Sequence, residues 1–262
     1  METFNCGPLQ APRLWTGLWQ LSSNAWGTAS VSNIRKGMAR HVDMGYTAFG
    51  TALYTESPSL TRDNFTVLRC NDRQADHYGS AEIIFGQFRN KLPSSAGIVG
   101  ATKWCVFKNV QPSREVVQAA VEERRQRMQS ARVDLLQFHW QDYSDKGYLL
   151  ALQYLCDLRQ EGMLTAIDEI CTQLGPGAIA TNQVQFSLID TRPLHGMADV
   201  CDKHNIKLLT YGTICGGFLA DKWLNRPQPD LYSSDLTPSQ RKEHDLASLN
   251  ILQTTIRFSG SD

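Results

Sequence analysis

A phenol, an ammonium and an imidazole stand in chain order at Tyr78, Lys103 and His139, each beside a run of apolar residues. Tyr78 lies in A-D-H-Y-G-S-A-E-I-I-F-G, residues 75–86. There Ser80 reads as the N-cap of an amphipathic helix over residues 81–92, with Ile83, Ile84 and Phe85 as its first buried positions. This spacing puts the tyrosine on a loop at the mouth of the helix. Lys103 closes the strand-like run G-I-V-G-A-T-K-W, and His139 sits near the end of V-D-L-L-Q-F-H-W. A phenol of ordinary pKa about 10 gives up a proton near neutrality only when its anion is stabilised, and a nearby ammonium does this. The chemistry open to such a set is proton donation to a developing oxyanion, with the imidazole as a second hydrogen-bond donor. Each residue also has a plainer use: a structural tyrosine, a solvated strand-end lysine, a histidine satisfied in a core.

The elements that must position these groups alternate along the chain. Residues 14–20 read as a strand, and residues 30–44 as a helix with Val31, Ile34, Met38 and Val42 at helical spacing, ended by Gly45. A strand over 46–49, the helix 81–92 and a strand over 97–104 follow. The helix expected over 113–130 buries Val116, Val117, Ala120, Val121 and Met128 and turns its many charges to solvent. Then come a nearly all-apolar strand, Val133–Trp140, a helix, Gly147–Gln160, stopped by Gly162, and a strand that ends at Ile167. A strand over 180–188, a helix over 193–205 and a strand over 207–212 complete the alternation, and one further helix is credible over 238–252. Strands alternating with helices predict a parallel α/β sheet.

The 262 residues suit one domain, because no Pro/Gly/Ser-rich linker divides them. Lys+Arg and Asp+Glu are both 26, so no net field draws nucleic acid or an anionic membrane, and a small neutral substrate fits better. No apolar run approaches the ~20 residues of a membrane span, and M-E-T-F-N-C-G-P-L-Q lacks the features of a secretory signal, so a cytoplasmic protein is expected. The seven scattered cysteines lack a C-x-x-C pair and read as reduced thiols packed as small hydrophobes. The oligomeric state has no sequence signal.

In these motifs the sequence resembles the aldo-keto reductase family, in particular its fungal-type members, from about residue 14 to about residue 224. The family shows G-x-x-x-F-D-T-A, then Tyr-Gly with S-x-E after it, a strand-end Lys and a strand-end His. The resemblance implies a (β/α)8 TIM barrel with its chemistry at the C-terminal ends of the strands. It also implies an NADPH-dependent reduction of an aldehyde or ketone, with no metal, in a setting such as secondary metabolism. By the same resemblance Tyr78, Lys103 and His139 are catalytic. Gly17, Leu18 and Trp19 of the first strand lie near the cofactor, although that strand also reads as core with packed tryptophans. Gln183 meets the carboxamide, Tyr211 stacks on the nicotinamide, and Y-G-T-I-C-G-G-F-L, with Gly212, Gly216 and Gly217, resembles the pyrophosphate loop.

The chain departs from the family at four places. Neither register around Phe49 or Tyr78 supplies the catalytic aspartate: Gly50 follows Phe49, and Arg73 lies five residues before Tyr78. Residues 50–74 show neither strand nor helix period and read as an insertion of roughly 25 residues, a translated intron or, alternatively, a lid. The strand ending at Ile167 runs into D-E-I-C-T-Q-L where the family has the Ser-Asn that holds the carboxamide. Beyond Trp223 no eighth strand and no segment for the 2′-phosphate are visible, so an incomplete barrel is expected. A second function class follows from these departures: a catalytically impaired relative, mis-spliced or kept as a binding barrel.

Overall fold

The computed structural model describes residues 1–22, 28–51, 76–106, 110–168, 174, 177–224, 226–227, 229–230, 236 and 240, and of residues 22, 76–80 and 95 only the backbone. Residues 52–74 of the expected insertion, Cys70, Cys171 and, apart from Gln240, the helix expected over 238–252 lie outside the described residues.

An antiparallel hairpin opens the chain, β1 (Thr3–Cys6) paired with β2 (Leu9–Pro12) from Thr3↔Pro12 to Cys6↔Leu9. The turn between them needs Gly7, which sits at φ +58. The sequence reading did not anticipate this hairpin. Seven parallel strands follow in one sheet whose order is their chain order: β3 (Thr16–Gly17), β4 (Ala48–Gly50), β5 (Val99–Val106), β6 (Val133–Trp140), β7 (Leu164–Asp168), β8 (Thr181–Gln185) and β9 (Lys207–Tyr211). The helices are α1 (Val31–Asp43), α2 (Asp76–Arg89), α3 (Arg114–Arg127), α4 (Gly147–Gln160) and α5 (Met197–Lys203). Parallel strands in chain order with covering helices make this the (β/α)8 barrel fold, incomplete in that no strand follows β9 among the described residues.

By its contacts the chain forms two compact units, residues 1–182 with 204–206, and residues 183–203 with 207–262. In the first, Ser30 and Ser113 cap α1 and α3 by accepting the N–H of Asn33 and Val116 at 3.2 and 3.3 Å. Its core packs Leu18, Met38, Phe49, Phe85, Phe88 and Met128 together, Phe49 meeting Phe85 and Phe88 at ring distances of 5.7 and 5.9 Å. Bare backbone makes this packing possible. A Cβ on Gly86 would lie 2.3 Å from the Met128 carbonyl oxygen, and one on Gly100 would lie 2.4 Å from the Phe85 ring. In the second unit Cys215, Phe218 and Leu236 form a small core with Trp223, whose ring meets Phe218 at 5.2 Å.

Several expectations are corrected. The first strand is Thr16–Gly17, not residues 14–20, because Leu18 bonds to the Gly50 carbonyl and the chain then turns through Trp19–Ser22. The helix expected over 193–205 is broken. A short turn, Arg192–Leu194, is separated from α5 by Gly196 at φ +96, a conformation no right-handed helix contains. Gly50 and Thr51 do not belong to an insertion: Gly50 ends β4, and Thr51 gives both its N–H and its hydroxyl to the Ala101 carbonyl, at 2.8 and 3.0 Å. The charged side of α3 is not all solvated, since Arg124 is 1% exposed. All five described cysteines are free thiols, four of them buried. No described helix is long and apolar enough to cross a membrane.

Candidate active site

Strand register decides which side chains share a face, because paired residues of parallel strands point the same way. Lys103 on β5 pairs with Gln137 on β6, Gln137 with Asp168 on β7, and Asp168 with Thr181 on β8. Four polar residues therefore form one layer across four neighbouring strands, and the side chains are bonded in the same order. The Lys103 Nζ donates to Gln137 Oε1 at 2.6 Å, Gln137 Nε2 reaches Asp168 Oδ2 at 3.5 Å, and Thr181 Oγ1 donates to the same Oδ2 at 2.5 Å. Gln137, Asp168 and Thr181 are buried. One layer further along, Cys105 pairs with His139, whose side chain is exposed. On the starting side of the strands the hairpin packs Cys6 and Ala11 against Ala48 and Val99. Lys103 does not close its strand, since β5 runs on to Val106, whereas His139 is one residue from the C-terminal end of β6, the end at which barrels keep their chemistry.

Electrostatics follow from this burial. Desolvation lowers the Lys103 pKa, and the negative charge of Asp168, then that of the Cys105 thiolate, pulls it back up. Burial likewise raises the Cys105 thiol, with Lys103 and then Arg124 opposing. The Cys6 thiol is pushed up to about 11, chiefly by burial and further by Asp168, while its own backbone hydrogen bond works the other way.

A second buried set holds the strand from behind. Glu82 of α2, fully buried, accepts a hydrogen bond from Thr102 and one from Arg127 Nε at 2.6 Å. Arg124 of α3 gives its Nε to the Lys103 carbonyl at 2.8 Å and another N–H to the Ala120 carbonyl at 2.7 Å. The catalytic lysine candidate therefore has its backbone fixed by one buried guanidinium.

The other expected residues fall as follows. Tyr78 is not on a loop and Ser80 is not an N-cap, because α2 begins at Asp76 and contains both; the Tyr78 side chain lies outside the described residues. Of the three expected buried positions Ile84 and Phe85 are buried, while Ile83 is 37% exposed. Gly17 pairs with Gly50, Leu18 is buried and Trp19 is exposed. In the second unit Gln183 is half-buried on β8. The Tyr211 ring is 46% exposed at the end of β9, and its carbonyl accepts the Phe186 N–H at 3.0 Å. Gly212 sits at φ +72, and Cys215, Gly216 and Gly217 are consecutively left-handed at φ 52, 65 and 96. The Cys215 and Gly217 N–H groups donate to the Gly212 and Ile214 carbonyls at 2.9 Å, so what the loop offers a pyrophosphate is close approach to bare glycine backbone, and the exposed Tyr211 ring next to Gly212 in the chain offers a stacking face. These residues fit a dinucleotide.

Asp168, Gln137, Arg124 and Glu82 were not singled out from the sequence. The one available signal was at Asp168, a carboxylate closing the apolar run L-T-A-I, as Lys103 closes its own run.

A sequence profile of the Aldo/keto reductase family matches residues 13–254. The chain is 22% identical over 230 residues to "Aldo-keto reductase YhdN" of Bacillus subtilis (strain 168), covering 82% of this chain and spanning 62% of the relative's length. Among solved structures it resembles the glycerol dehydrogenase AKR11B4 from Gluconobacter oxydans, with a TM-score of 0.67 and 21% identity over 98% of this chain and 79% of that one. It also resembles the holo form of the aldo-keto reductase AKR11C1 from Bacillus halodurans, with a TM-score of 0.63 and 19% identity over 88% and 71% of the two chains.

Proposed function

Because the chain belongs to the aldo/keto reductase family, we propose that it is a nicotinamide-dependent oxidoreductase that reduces the carbonyl of a small aldehyde or ketone to an alcohol, with NADPH as its cofactor. The observation that carries this reading is the half-buried Lys103 ammonium, held in a layer of polar side chains that runs from β5 to β8. The preference for NADPH over NADH, the cytoplasm and secondary metabolism rest on the family resemblance alone.

Within the second unit, the residues that would hold the cofactor are Tyr211, Gly212, Gly216, Gly217 and Gln183. When bound, the nicotinamide supplies the hydride. The protein supplies the proton and the field. In this reading the Tyr78 hydroxyl donates its proton to the oxygen as negative charge develops there, and the Lys103 ammonium stabilises the phenolate left behind. His139 donates a hydrogen bond to the same oxygen and orients the carbonyl. Arg124, by holding the Lys103 carbonyl, fixes the strand from which the ammonium extends.

Replacing Tyr78 by Phe removes only the proton donor. Turnover of a generic aromatic aldehyde is expected to fall about 10²–10⁴-fold. The NADPH dissociation constant, read by quenching of the six tryptophans, should stay within about twofold, because the hydroxyl acts on the transition state. Equal loss of both would make Tyr78 structural. A barrel that does not turn over is the second reading, favoured by the run D-E-I-C-T-Q-L after Ile167, where the family has its Ser-Asn. A flat NADPH titration together with no turnover decides for it.

A further inference from the structure

An aspartate buried in the middle of a parallel sheet must be compensated, since an unpaired carboxylate in such a place costs several kcal/mol. Asp168 reaches Thr181 on one side and the Gln137 amide on the other, and beyond that amide stands the Lys103 ammonium. Chemistry fixes the direction of the amide. An ammonium only donates and a carboxylate only accepts, so Gln137 must turn its oxygen to Lys103 and its NH₂ to Asp168, as it does. A polarised relay of this kind transmits negative charge toward the lysine.

We propose that Asp168 is the counter-charge of Lys103, a positioning residue that acts through the Gln137 amide and does from β7 the work of the aspartate that is absent after Phe49. Its catalytic consequence rests on the reductase reading above, whereas the pairing itself does not. Burial pulls Lys103 toward neutrality, and Asp168 is the largest opposing influence. The ammonium is thereby kept charged where a neutral amine could not stabilise a phenolate. The titratable and charged groups around this layer are Cys105 and His139 on β5 and β6, Cys6 on the hairpin, which also responds to Asp168, and Arg124 on α3.

The test uses the full chain with ¹³C-labelled lysine and follows the Lys103 ε-carbon by NMR against pH, the signal being assigned by its loss in Lys103→Arg. In Asp168→Asn the lysine should lose its proton about one unit lower in pH than in the parent. In the double variant Asp168→Asn/Gln137→Glu, which moves the carboxylate one strand across the same layer, the titration should return to within a few tenths of a unit of the parent's. Turnover should follow. In Asp168→Asn kcat drops about tenfold, its alkaline limb moves to lower pH by the same amount, and NADPH affinity is kept within twofold; the double variant restores kcat. An unchanged lysine titration in Asp168→Asn overturns the proposal whatever the turnover. So does a lowered titration that Gln137→Glu fails to rescue, since Asp168 would then serve only as an anchor for Thr181. If the parent reduces no aldehyde, the reductase reading fails and the lysine titration alone decides the pairing. If Asp168→Asn does not fold, Gln137→Leu breaks the relay while leaving the Asp168–Thr181 bond, and an unshifted lysine there is equally fatal.

Discussion

The Cys6 thiol is enclosed by the hairpin and by the starts of β4 and β5, and its pKa is raised from 9.0 to about 11. A folded-state pKa above the unfolded value means that the folded protein holds a proton the unfolded chain releases. The associated stability is fully present below pH 9 and is lost as pH rises through 11. A shift of this size is worth about 2–3 kcal/mol. Lys103 acts with the opposite sign, because its folded pKa is lowered below 10.5 and deprotonation favours the folded state. Comparing the parent with Cys6→Ala cancels the lysine. Urea midpoints should show Cys6→Ala less stable at pH 8 by the cost of a small cavity, and the gap should close or invert by pH 11. A gap independent of pH would show that the thiol does not titrate where its burial implies.

At the scale of elements, one glycine and one carboxylate of α2 set how it meets α3 and β5, beside the apolar packing of Phe85 and Phe88. Gly86→Ala drives a methyl group into the Met128 backbone, which cannot swing aside as a side chain would. A loss of about 2–4 kcal/mol in urea unfolding is expected, with α2 displaced. Glu82→Gln keeps the shape but leaves Arg127 and the neighbouring Arg124 without their buried negative partner, a loss of about 3 kcal/mol by the same measurement. If either variant melts with the parent, the packing of α2 described here is wrong. These elements also mark the limit of what the sequence revealed. The bounds of β6 and α4 were legible because β6 is a nearly all-apolar run and α4 is an amphipathic helix stopped by Gly162. The start of α2 was misplaced because Ser80 looks like a cap, although helical backbone begins at Asp76. Glu82, Arg124 and Asp168 were unread for a common reason. A charge is buried when its partner lies on another element, and no local period records where Thr102, Arg127 or Gln137 will be. Lys103 and His139 were singled out by their place in apolar runs and by family spacing, which a local period does not supply.

For the molecule as a whole the chain carries a polar segment after Thr51 with no periodicity of its own in the sequence, and ordering such a segment would cost entropy. Deleting residues 52–74 while keeping Thr51, whose two bonds to Ala101 tie β4 to β5, should raise the melting temperature by a few degrees. Deleting residues 50–74 should gain less, because it removes those bonds. A lower melting temperature for the shorter deletion would mean that the segment is an integrated lid. The hairpin at the other end of the strands bears on how the protein is made. The contact of Gly7 with Ala180, where an added Cβ would stand 3.0 Å from the alanine methyl, joins residues about 170 positions apart. At a synthesis rate of roughly 5–20 residues per second, a ribosome needs on the order of 10–35 seconds between making the two. For that time the hairpin can close on Ala48 and Val99 but not on Ala180, so its seat is made in two stages. The Gly7 turn meets its last neighbour only when the chain just before β8 has been made.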